Sequence, residues 1–164
     1  MKKILIAIVA CICAVSLGCG GVEKPKDLPT LYPTTLKIVY DDGTPVDGAT
    51  IALRLPKPTG GRVWNLTGMT DATGSLVLKT DGQWDGAPAG SYQVMVTKEV
   101  ADIDQGGGEP GASAVVKCST RFVDQKYNDP TTSGLTVEIK ESKEGNVFEL
   151  KVGEKIEEDV KVLG

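Results

Sequence analysis

The sequence predicts an all-β fold, an antiparallel two-sheet sandwich of about seven strands. Three observations carry that expectation. Past residue 34 apolar residues recur at every second position, the period of a half-buried strand. Asp, Asn, Gly and Pro clusters punctuate the chain between these stretches. No segment after residue 20 shows the 3.6-residue period of an amphipathic helix.

The elements follow in order. Leu36, Ile38 and Tyr40 alternate with Thr35, Lys37 and Val39, and Asp41-Asp42-Gly43 ends that run. Asp47-Gly48 precedes Ile51, Leu53 and Leu55, and Val63-Trp64-Asn65-Leu66 is a shorter candidate strand. Asp71-Ala72-Thr73-Gly74 turns the chain into Leu76 and Leu78, and Asp81-Gly82 closes that run. Pro88-Ala89-Gly90 leads into Tyr92, Val94 and Val96. Val116, Cys118, Thr120 and Phe122 form the apolar side of the next strand. Leu135, Val137 and Ile139 follow, then the turn Glu144-Gly145-Asn146, then Phe148, Leu150 and Val152. Asp and Asn hold such turns by accepting backbone N–H groups, and Gly accepts positive φ.

The first residues read differently. Lys2 and Lys3 precede 14 residues of nearly unbroken apolar character, Ile4 to Leu17. That length suits the core of a signal peptide and falls short of the roughly 20 residues of a spanning helix. Val15-Ser16-Leu17-Gly18-Cys19 resembles the lipobox of bacterial lipoproteins, although Ser16 stands where Leu is more usual. The resemblance implies cleavage after residue 18 and a diacylglyceryl and an acyl group (palmitate or similar) on Cys19. Several acyl chains make such attachment effectively permanent, since each buried CH₂ contributes about 0.8 kcal/mol. Gly20, rather than Asp, after the cysteine implies sorting to the outer membrane. An ordinary secretory signal with an incidental cysteine is the alternative. Residues 19–34, with Pro25, Pro29 and Pro33, are expected to form an extended tether, residues 35–153 the sandwich, and residues 154–164 a tail or extra edge strand.

Composition removes several function classes. The chain has no histidine, which excludes His-based acid–base and triad chemistry and the commonest zinc sites. Its net charge is −4, and loss of Lys2 and Lys3 with the leader leaves 16 basic residues against 22 acidic ones. That balance argues against nucleic acid and against a basic face on anionic lipid. Of the four cysteines only Cys118 belongs to the body, so no intramolecular disulfide is expected there.

Three blocks of the body stand out: Val39-Tyr40-Asp41-Asp42-Gly43-Thr44-Pro45-Val46-Asp47-Gly48-Ala49-Thr50-Ile51, Thr70-Asp71-Ala72-Thr73-Gly74-Ser75-Leu76 and Pro88-Ala89-Gly90-Ser91-Tyr92-Gln93-Val94-Met95-Val96. In this order they resemble the carboxypeptidase regulatory-like domain, a transthyretin-like (prealbumin-like) sandwich. The resemblance covers residues 34–100, and the stretch 126–139 is similar to the ending of small envelope lipoproteins that carry this sandwich. It implies structural roles: Asp71 accepting backbone N–H groups in a turn closed by Gly74, and Tyr92 burying its ring while its hydroxyl reaches backbone. Neither of two related sandwich enzymes is implied. Hydroxyisourate hydrolases need histidines and a Tyr-Arg-Gly-Ser ending, and intradiol dioxygenases need an iron-binding His pair.

Candidate sites remain. Asp102, Asp104 and Glu109 fall in a Gly-rich stretch read as a loop, 101–113, and carboxylate oxygens of that kind suit Ca²⁺. The spacing is not that of an EF-hand, and solvated carboxylates are the simpler reading. Cys118 is expected to be a buried small hydrophobe. Trp64, Trp84 and Tyr127 are candidates for an aromatic platform that stacks on sugars. The expected function is a non-catalytic, cofactor-free, lipid-anchored envelope module with a structural or protein-binding role. A carbohydrate- or peptidoglycan-binding module is the alternative. Its partners are then membrane lipid, through Cys19, and an envelope protein or glycan.

Overall fold

The computed structural model describes residues 24–56, 62–104 and 115–160. Cys19 and the leader lie outside the described residues. Among those described, the strands are β1 (Leu31–Tyr32), β2 (Thr34–Val39), β3 (Thr50–Arg54), β4 (Leu66–Met69), β5 (Ser75–Val77), β6 (Lys79–Thr80), β7 (Trp84–Asp85) and β8 (Ala87–Pro88). They continue as β9 (Gly90–Thr97), β10 (Glu99–Asp104), β11 (Val115–Arg121), β12 (Thr136–Ile139), β13 (Asn146–Lys151) and β14 (Glu158–Val160). One turn of 3₁₀-helix, Gln125–Asn128, interrupts them.

A six-stranded sheet runs β12-β9-β3-β4-β6-β7, and a three-stranded sheet runs β13-β2-β5. Their inward side chains form one core: Leu36 and Ile38 from β2 and Leu76 from β5 meet Ile51 and Leu53 from β3, and Val94 and Val96 from β9. This is the expected sandwich, and the period-two pattern is what builds it. Leu36, Ile38, Ile51, Val94 and Val96 are fully buried, whereas Val77 points outward and is exposed. Full burial of each such side chain contributes about 1.5–3 kcal/mol.

The turns lock the two sheets together. Asp71 Oδ1 accepts the N–H groups of Thr73 (2.8 Å) and Ser75 (3.1 Å) and the Thr73 hydroxyl (2.6 Å). Gly74 closes that turn at φ +75°, and a Cβ there would stand 2.5 Å from the Ile38 carbonyl oxygen. Thr70, itself buried, donates through Oγ1 to the Val46 carbonyl (2.6 Å) and accepts the Ala49 N–H (2.8 Å). Tyr92 is buried against Gly90 and donates its hydroxyl to the Pro88 carbonyl at 3.0 Å. Among the described residues no buried side-chain nitrogen or oxygen lacks a hydrogen-bond partner.

Several features depart from the sequence expectations. The sandwich is not wholly antiparallel: β13 lies parallel to β2, from Asn146 opposite Thr34 to Lys151 opposite Val39. The stretch read as tether is ordered from Lys24 onward: Leu28 N–H donates to the Pro25 carbonyl, and β1 pairs with β8. Gly86 permits that pairing, because a Cβ there would meet the Tyr32 carbonyl oxygen at 2.6 Å. The candidate strand at Val63 begins only at Leu66, leaving Val63 78% exposed, and Leu55 is 44% exposed beyond the end of β3.

A second three-stranded sheet, β10-β11-β14, makes a strand of the first residues read as a loop and draws in the C-terminal run as an edge strand. In β11 the inward face is the reverse of that expected: Ser119 and Arg121 are buried and Cys118 is only half-buried. Arg121 accounts for the reversal. Its Nε donates to Glu99 (2.9 Å) and its Nη1 to Gln125 (3.3 Å), and Glu158 lies 3.6 Å away. A charge so matched is tolerated inside, and it ties β10 and β14 to β11.

Candidate functional site

The site grows from one turn. Asp81 and Gly82 have consecutive positive φ values, 51° and 70°, as a type I′ turn requires, and Gln83 N–H donates to the Thr80 carbonyl. This reverses β6 into β7 and sets Trp84 opposite Thr80 at the sheet edge. The Asp81 carboxylate then clamps the approach to β4. It accepts the Asn65 N–H at 2.8 Å and the Arg62 guanidinium at 3.1 Å, while Asp81 N–H donates to the Asn65 carbonyl at 2.7 Å.

Clamping residues 62–65 there brings the two tryptophans together. Their ring centroids are 6.4 Å apart and their planes stand at 86°, an edge-to-face pair. The Arg62 guanidinium lies 4.2 Å over the Trp64 ring, a cation–π contact. Both tryptophans are half-buried.

Two clefts flank the pair. One, of about 700 Å³, has Trp64 in its wall with Leu53, Leu55, Pro88 and Tyr92, and Arg54 and Arg62 beside them. The other, of about 610 Å³, has Trp84 and Asp85 on one side and the incoming chain from Lys24 to Leu31 on the other. Pro29 borders both. The first cleft is the size of a small-ligand site, and its apolar wall with two guanidinium groups can take a flat or apolar ring bearing negative charge.

Of the proposed aromatic platform, then, the structure gathers Trp64 and Trp84 but not Tyr127. Tyr127 sits in the 3₁₀ turn, 7% exposed within the core, with its hydroxyl side against Gly153. Of the proposed carboxylate site, Asp102 lies exposed on β10 in register with Cys118, and Asp104 ends that strand. Glu109 lies outside the described residues. A strand spaces alternate residues by roughly 6.5 Å and does not wrap them around an ion. No group of three or more Asp, Glu or Cys residues arranged for a metal ion occurs among the described residues.

Of the titratable groups with displaced pKa values only Tyr92 borders a cleft, and all have structural causes. Asp71 is held below the usual carboxylate range by the Thr73 hydroxyl and the Ser75 and Thr73 N–H groups. Asp42 is lowered chiefly by the Thr44 N–H, and Asp129 by the Thr131 hydroxyl and N–H. Glu149 is lowered by Lys37, which donates to it at 2.9 Å. Burial raises Tyr92, and burial followed by the Asp42 charge raises Tyr40.

Sequence reasoning missed Arg54 and Arg62 as members of the site and missed the role of Pro29. One signal was in the sequence: Asp81-Gly82 within a few residues of Trp84 foretold a reversal at the sheet edge. No protein family, no curated protein and no solved structure matches the chain.

Proposed function

We propose that the protein is a non-catalytic, lipid-anchored module of the bacterial cell envelope, cleaved before Cys19 and acylated there. In this reading the sandwich, transthyretin-like in its motif order, is displayed for structural or protein-binding work. The observation that carries the reading is the layout of the chain: a short basic and apolar stretch runs up to Cys19, and Lys24, already packed on the body, follows five residues later. The displaced carboxyls support it too, because each is engaged in a turn or an ion pair rather than turned toward a cleft.

A second reading, a glycan-binding module, is favoured by one observation, the Trp64–Trp84 pair beside an apolar cleft. Aromatic faces suit sugar rings, although Arg62 already covers part of Trp64.

Labelling bacteria that produce the full chain with an alkyne-bearing fatty acid tests the anchor. Wild type takes up the label and Cys19→Ser does not. A wild-type protein that is exported and cleaved without label overturns the reading.

A further inference from the structure

We infer that the Trp64–Trp84 end of the sandwich rests against the anionic headgroup surface of the bilayer that holds the anchor. The inference rests on the lipid-anchored reading, and three observations support it.

The first is chain length. Lys24 lines the cleft that contains Trp84, and Cys19 is five residues earlier. Five residues span at most about 18 Å when fully extended. The mouth of that cleft therefore stays within about 18 Å of the acylated cysteine, and the opposite end of the strands cannot be the end nearest the lipid. The ordering of residues 24–34 on the body removes the long stand-off that a free tether would have given.

The second is the chemistry of the rim. Two half-buried tryptophans sit beside the outward side chains of Val63 and Leu55. Tryptophan is enriched where one side of a ring meets hydrocarbon and the other meets water, and exposed aliphatic side chains gain by entering that boundary.

The third is charge placement. The chain as a whole is acidic, yet two of its three arginines line this end and the third, Arg121, is buried against Glu99. Lys24, Arg54 and Arg62 border the clefts against one carboxylate, Asp85, although Asp81 behind the wall neutralises part of Arg62 and Asp129 nearby offsets part of Arg54. The acidic net charge thus conceals a locally basic rim, and the long arginine side chains can reach phosphates while the rings stay at the apolar boundary.

Trp64 and Trp84 are the chain's only tryptophans, so intrinsic fluorescence reads this end alone. The acylated full-length product, purified from membranes, is reconstituted into vesicles of phosphatidylethanolamine with phosphatidylglycerol, or with phosphatidylcholine in its place. Brominated acyl chains serve as the quencher. The expected result is a blue-shifted emission that bromolipid quenches severalfold more in the phosphatidylglycerol vesicles, with the difference lost in Arg54→Glu and in high salt. Trp64→Phe and Trp84→Phe, each leaving one reporter, keep the quenching.

Emission that ignores bromolipid while acrylamide quenches it as readily as in detergent overturns the inference and leaves the anchor intact. Protection of the tryptophans by soluble peptidoglycan fragments, with no bromolipid quenching, overturns it in favour of the glycan reading. A purified product whose Cys19 peptide carries no acyl group sinks the anchored reading and this inference together.

Discussion

At one end of the sandwich Tyr40, Thr70 and Asp71 seal the strand ends with hydrogen bonds; at the other, Trp64 and Trp84 border two open clefts. The sealed end is built from small polar groups that each meet a specific backbone partner. Tyr40 donates to the Phe122 carbonyl at 3.1 Å, and Asp41 N–H reaches the Gly153 carbonyl at 2.8 Å. The open end is built from large rings, prolines and arginines that meet each other edge-on and leave space. Specific hydrogen bonding, and with it stability, is concentrated at the sealed end. Conserving the seal conserves the fold, while the open end can change its side chains at little cost to packing.

Four substitutions or titrations sharpen that contrast. The largest effect is expected at the seal, from Gly74→Ala. It forces a positive φ on a residue with a Cβ and drives that Cβ into the Ile38 carbonyl, at a cost of about 3 kcal/mol or more in urea unfolding. Thr70→Val keeps the shape but strips the Val46 carbonyl and the Ala49 N–H of a buried partner. Its expected cost is about 2 kcal/mol by the same measurement. At the open end, Trp84→Ala loses one edge-to-face contact and part of a half-buried ring and is expected to cost only about 1 kcal/mol. A larger loss there than at Thr70 would erase the distinction between the two ends.

The smallest effect is the pH dependence that the turns contribute. Asp42 and Asp71 have folded-state pKa values below their unfolded ones, so their turns add stability above about pH 4. That contribution is lost as the pH falls through the folded values. The urea midpoint is therefore expected to decline on acidification below about pH 4, and less steeply in the Asp42→Asn/Asp71→Asn double variant, which keeps an acceptor oxygen but cannot titrate. Equal slopes for the two proteins would remove the turns from the account of the seal.

The sealed end was largely legible in the sequence and the open end largely was not. Alternation placed Leu36, Ile38, Ile51, Val94 and Val96 inside, and the Asp71–Gly74 turn does what its residue types foretold, as does the Tyr92 hydroxyl, the one legible feature of the open end. These are local signals, written within a few residues. The parallel register of β13 on β2 and the two-residue pairing of β1 with β8 have no local signature, because a strand's partner is a tertiary choice. β11 turns the opposite face inward from the one its weak apolar pattern predicts, because Arg121 buries a charge that Glu99, Gln125 and Glu158 make tolerable. The meeting of Trp64 and Trp84 depends on Asp81 holding a segment 16 residues away, and no spacing rule announces that.

Whether the sandwich is fastened to a membrane through Cys19, as proposed, is decided by the mass of the mature N-terminal peptide. The expected product begins at Cys19 and carries the added mass of a diacylglyceryl group and an acyl chain. A mature chain beginning at any other residue, or at an unmodified Cys19, would contradict it.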